Sequence, residues 1–209
     1  MLNEINALSI ARFHDERLGG AGWPLAALPA AAPGLWRWVE ANHRYNSLLW
    51  DEEDRARRTD VEAAAIAASK RLIDQHNQRR NDAVEAIDEI ILAGLEAVGP
   101  ARDARLSSET AGAMIDRLSI LSLKIFHMAE QTRRADAGAE HIASCGAKLQ
   151  RLGVQRQDLA SCLNQLLTDA ARGLAYFKVY RQFKMYNDPA LNPYLYQAHR
   201  QGGSAEAAP

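Results

Sequence analysis

The chain has 209 residues, with 25 Lys and Arg against 26 Asp and Glu, which leaves a formal net charge of −1. Hydrophobic residues make up 47% and charged residues 24%, the proportions of a soluble globular chain able to bury its own core. That balance argues against a nucleic-acid partner, which needs an excess of cations on one face, and two cysteines, Cys145 and Cys162, cannot build a disulfide framework.

Helix signals run from end to end. Asn3 to Leu18 reads as a short amphipathic helix burying Ile5, Leu8 and Phe13. The glycines Gly19, Gly20 and Gly22 then break the chain, and a Pro/Ala-rich linker follows, cut by Pro24, Pro29 and Pro33. A second helix is expected from about Gly34 to Arg58, carrying Leu35, Val39, Asn46 and Trp50. Asp60 is positioned to cap a third, which runs to about Val98 and stops at Gly99-Pro100. Ser107 or Ser108 would cap a fourth, reaching about Asp136. From Gly138 to Tyr186 the pattern fits one broken helix or two, interrupted near Gly153.

The expected fold is therefore all-α, an antiparallel bundle of five to seven helices with no sheet. Its parts are an N-terminal helix and linker (1–33), the bundle (34–197) and a disordered polar tail (198–209). The one strand candidate, Tyr176 to Tyr180, also fits helical spacing. The first residues lack the cationic start and apolar run of a secretory leader, and no apolar stretch is long enough to span a bilayer. A cytoplasmic location, with both cysteines unpaired, is the expectation.

Several chemistries lack their motifs. No phosphate-binding loop, zinc-protease helix or nucleophile elbow occurs. A single Glu-x-x-His, Glu40 with His43, falls short of a di-iron bundle, which needs two. Asp51-x-x-Asp54 and Glu85-x-x-Asp88 resemble the magnesium-holding pairs of MazG-type pyrophosphatases. An unbroken third helix would put Glu85 about 39 Å from its start, far from Asp54. No metal ligands are assigned and no cofactor is named.

Polar residues on apolar stripes carry the functional signal. His43 and Asn46 on the second helix, Asp74, Asn77 and Asn81 on the third, and Asp116, Lys124, His127 and Glu130 on the fourth all share faces with buried-type residues. Counting back from turns near Thr59 and Asp103 sets His43 level with Asp74, Asn77 with Glu130, and Asn81 with Lys124. Such a level is either an acid/base or anion site or an internal hydrogen-bond network.

Three segments resemble a bacterial family, domain of unknown function 4254. The first runs from His43-x-x-Asn46 through Trp50 and Glu53-Asp54 to Asn77-x-x-Arg80-Asn81. The second is Ser108-Glu109-Thr110-x-Gly112-x-Met114-Ile115-Asp116-Arg117-Leu118, continuing to Lys124 and His127. The third is Gln182 to Tyr196. The resemblance implies an α-helical protein of about this length, encoded among glycosyltransferases and other genes of lipopolysaccharide or surface-polysaccharide biosynthesis. It implies no particular reaction.

Two functions follow. In one, the chain binds or processes a small anionic or sugar ligand: Lys124 and Arg117 hold the anion, with Asn46, Asn77, Asn81 and Asp116 as further ligand contacts. His43 or His127 then transfers a proton, oriented by Asp74 or Glu130. In the other, it is a non-catalytic partner of a glycosyltransferase, docking through Tyr186 to Tyr196. Whether it is an enzyme, and whether it forms a homodimer, stay open at this level.

Overall fold

Amphipathic periodicity and well-placed breakers produce five helices among the residues described, 5–25 and 34–181 of a computed structural model. They are α1 (Ala7–Leu18), α2 (Leu35–Ala56), α3 (Ala63–Leu95), α4 (Ala111–Thr132) and α5 (Ala139–Ala171). The all-α bundle is what the chain forms, with one small addition. Strands β1 (Arg105–Leu106) and β2 (Ala175–Tyr176) pair in parallel over two residues each. Met1–Val179 makes one compact unit and Tyr180–Pro209 a second, of which only residues 180 and 181 are described. Gln182 to Tyr196 and the 198–209 tail lie outside the described residues.

Capping sets the phase of α1. The Asn6 side chain accepts from the Ser9 N–H at 2.9 Å while the Ser9 hydroxyl faces the Asn6 N–H, a reciprocal capping box. Counting from that start turns Ala7, Ile10, Ala11 and His14 inward. Leu8, expected to be buried, is instead 69% exposed. Ile5 is buried as expected, and Phe13 is half-buried against Trp36.

The rest of the chain makes two antiparallel hairpins, α2–α3 and α4–α5. His43 meets Ser119, and one stretch further along both helices Trp50 meets His127, so α2 and α4 run parallel. Between the hairpins lies a core built on Val39, Ile87, Ile91, Ile115, Leu118 and Leu163. Ile5, Ala7 and Ile10 of the N-terminal segment join that same core. Among the described residues, no helix is long and apolar enough to cross a membrane.

Three helix boundaries differ from the sequence reading for local reasons. Glu62 rather than Asp60 is the N-cap of α3, because both Asp60 carboxylate oxygens face Arg58. Thr110 caps α4 through its hydroxyl, accepting from Ala113 N–H at 3.1 Å, while Ser107 bonds the Glu109 carbonyl. Helix α5 continues through Gly153. A glycine inside a helix costs only about 1 kcal/mol, and the burial of Cys145 before it and of Leu159, Leu163 and Leu166 after it outweighs that.

Gly112 pins α4 to α3. A Cβ there would lie 2.6 Å from the Val84 carbonyl oxygen, so only glycine allows this approach. The Gly112 N–H donates to the buried Asp88 carboxylate at 2.6 Å, placing an acid at the positive end of α4. Burial pushes the Asp88 carboxyl up, and hydrogen bonds from Thr110 and Gly112 oppose that.

Candidate functional site

The polar residues of the stripes separate into two regions. The first is internal and lies where α1, α2 and α4 meet. His43 is fully buried, with Nδ1 2.8 Å from Ser119 Oγ and Nε2 3.2 Å from the His14 carbonyl oxygen. A carbonyl can only accept, so Nε2 carries the proton and Nδ1 accepts from the Ser119 hydroxyl. The Asn46 amide donates to Ser119 Oγ at 3.0 Å and to Asp116 Oδ1 at 2.8 Å. Asn42 donates to the same Asp116 oxygen, also at 2.8 Å.

Rings stack on both sides of His43: His14 at 4.4 Å and Trp23 at 5.3 Å, centroid to centroid. Trp23 is held by its indole N–H on Ser47 Oγ. Burial pushes the His43 imidazole down to about 3, against a smaller upward pull from its bond to the His14 backbone. Burial, then the neighbouring His43 and Arg156, holds His14 well below its ordinary value too. Both rings are neutral at physiological pH. The hydrogen bonds on His43, Asn46 and Asn42 fix helix register, whereas both ring nitrogens of the buried His14 have no hydrogen-bond partner among the described residues.

The expected common level does not form across α3 and α4. Arg80 lies 4.0 Å from Asp116, and Asp88 meets Gly112. These pairings displace the α3–α4 register by about two helical turns, roughly 12 Å, from the one that set Asn81 opposite Lys124. The cause is the connection: residues 96–110 include β1 and a run of turns instead of folding back at Asp103, and Gly112 fixes where α4 begins. The α2–α3 register is close to expectation, since Tyr45 meets His76. Asp74 nevertheless points to solvent and does not join His43.

The second region is open. A groove of about 550 Å³ between α4 and α5, walled by Trp50 of α2, brings together Lys124, His127, Lys148 and Arg151. Leu152 and Met128 supply apolar surface, and Gln131 and Gln155 complete the rim. His127 stacks on Trp50 at 4.6 Å and 12°, and its Nδ1 lies 2.9 Å from Glu130 Oε2. Lys124, Lys148 and Arg151 form no ion pair with a described residue. Arg117, expected to share the anion with Lys124, is held by both Glu109 oxygens at 2.8 Å in a neighbouring depression.

A second pocket, about 390 Å³, opens between α2, α3 and α4 and shares the Trp50 wall. Asn46 and Asn77 line it with Glu53, Arg57 and Arg80. Asn81 lies beside it, its Oδ1 3.4 Å from Arg80 Nη2. Among the described residues, no group of three or more His, Cys, Asp or Glu is placed to hold a metal.

The sequence reading missed Lys148 and Arg151, and it named Arg80 only within a family segment, without a role. Lys148, Arg151, Leu152 and Gln155 share one face of α5 at helical spacing. That face was hidden by reading Gly153 as a break. Cys145 and Cys162 are both free thiols.

The sequence profile of a family described as Protein of unknown function (DUF4254) matches residues 36–179. No curated protein and no solved structure matches the chain.

Proposed function

We propose that this chain, which belongs to the DUF4254 family, binds a small phosphate-bearing sugar metabolite in the groove between α4 and α5. One observation carries the reading: Lys124, Lys148 and Arg151 converge, without ion-pair partners among the described residues, on a concave surface floored by apolar side chains. Cations around a phosphate lose little to desolvation at an open rim and gain charge-assisted hydrogen bonds. Apolar side chains beneath them suit the C–H faces of a sugar. The His127–Glu130 pair supplies a proton-transfer group at the same groove, with Glu130 orienting the ring. A place in surface-polysaccharide biosynthesis, implied by the family resemblance, fits a ligand of this class.

Calorimetric titration with inorganic phosphate and glucose 6-phosphate tests the reading. The wild type should bind both saturably. The double variant Lys148→Met/Arg151→Met should lose at least tenfold in affinity with its melting temperature nearly unchanged. Absence of saturable binding in the wild type, or equal affinity in the variant, overturns it. The alternative, docking of a glycosyltransferase through Tyr186 to Tyr196, concerns residues outside those described.

A further inference from the structure

We infer that the pocket between α2, α3 and α4 takes a carboxylate on Arg80, so that the ligand is an acidic sugar phosphate laid across Trp50. This rests on the groove reading above and adds a second anionic contact to it. Arg80 is the reason. Its side chain is 27% exposed, its buried Nε has no hydrogen-bond partner, and its Nη2 donates to Asn81 Oδ1 over a long 3.4 Å. The nearest carboxylate, Asp116, stands 4.0 Å away with the same oxygen already taking the Asn42 and Asn46 amides. A half-buried guanidinium so poorly matched is a binding group in waiting, because its planar fork suits a two-point contact with a carboxylate.

The rest of the lining selects which anion. Arg57 is neutralised by Glu53 at 3.1 Å and Asp54 at 3.5 Å. The two acids at the rim oppose a doubly charged phosphate but accept hydrogen bonds from sugar hydroxyls. Asn77 has no hydrogen bond to a described residue and contributes both a donor and an acceptor. A singly charged carboxylate flanked by hydroxyls satisfies every one of these groups. Because Trp50 lines both cavities, a ligand with its carboxylate here places its phosphate toward Lys124.

The test uses a matched pair of probes. 6-Phosphogluconate and sorbitol 6-phosphate share a phosphate and a polyol chain and differ by the terminal carboxylate. Calorimetry on the full-length protein should show at least tenfold tighter binding of 6-phosphogluconate. That preference should fall to about one in Arg80→Gln and survive in part in Arg80→Lys, with thermal melts confirming that both variants fold. Equal binding of the two probes by the wild type, or a preference unchanged in Arg80→Gln, overturns the inference and leaves the groove reading intact. A carboxylate preference that persists in Lys148→Met/Arg151→Met, with undiminished affinity, supports Arg80 and instead overturns the groove reading. Failure of both probes to bind overturns both.

Discussion

His43 and His127 lie on neighbouring helices, each stacked on a tryptophan, yet they do opposite work. His43 sits between His14 and Trp23 with both ring nitrogens matched to internal partners. His127 rests on Trp50 with one nitrogen on Glu130, at the edge of an open groove. The difference teaches that a polar stripe on a helix is not a site by itself. What separates the two regions is whether the polar groups have already found each other. Around His43 the inner set has used its hydrogen bonds on register, with the ring nitrogens of His14 left without partners among the described residues, and the outer set has kept cations for something else.

Acid should separate the regions most. Both buried imidazoles are depressed below the ordinary value of about 6.5, His43 to about 3. Below pH 6.5 the unfolded chain takes up protons that the folded chain refuses. Stability present above that pH is therefore lost as pH falls toward 3, by up to about 1.4 kcal/mol per pH unit for each ring. Urea unfolding at stepped pH should show this decline, and groove substitutions should leave its slope unchanged. A flat profile between pH 6.5 and 4 would break the comparison.

Next in size is His43→Ala. It removes the ring between His14 and Trp23 and strands the Ser119 hydroxyl, costing about 3 kcal/mol by urea denaturation. Asn46→Ala should cost less, about 1–2 kcal/mol, because Asn42 still serves Asp116. Smallest on this scale is Lys148→Met. Its side chain is exposed, so unfolding stability should stay within about 0.5 kcal/mol of wild type. A destabilisation as large as that of Asn46→Ala would show that the groove cations are structural after all.

Much of this architecture was legible because period and breakers agree: Ile87, Ile91, Ile115 and Leu118 recur at helical spacing and all reach the core. The inner layer was half legible: His43, Asn46 and Asp116 each stood out as polar residues on apolar stripes, but the register count did not bring Asp116 to His43, and the two meet through Ser119 and Asn46. The groove was not, apart from Lys124, His127 and Glu130. Its α5 side depends on a helix that runs through Gly153, and its alignment depends on a register set by Gly112. Neither fact is local. Arg80, though it stands in the first family segment, drew no role because its want of a partner is a property of three helices at once.

The short parallel pairing of β1 with β2 has a kinetic meaning. It joins Arg105 to Ala175 and Leu106 to Tyr176, so the whole α4–α5 hairpin lies within the loop it closes. Contacts inside each hairpin are near in sequence and cost little chain entropy, whereas this stitch must wait until the intervening helices have brought its ends together. Bonds made last are the ones that change escape from the native state more than arrival at it. The two small strands, with the Ala101 N–H on the Gly173 carbonyl beside them at 2.9 Å, act as a clasp on an already folded bundle, holding its lifetime more than its route.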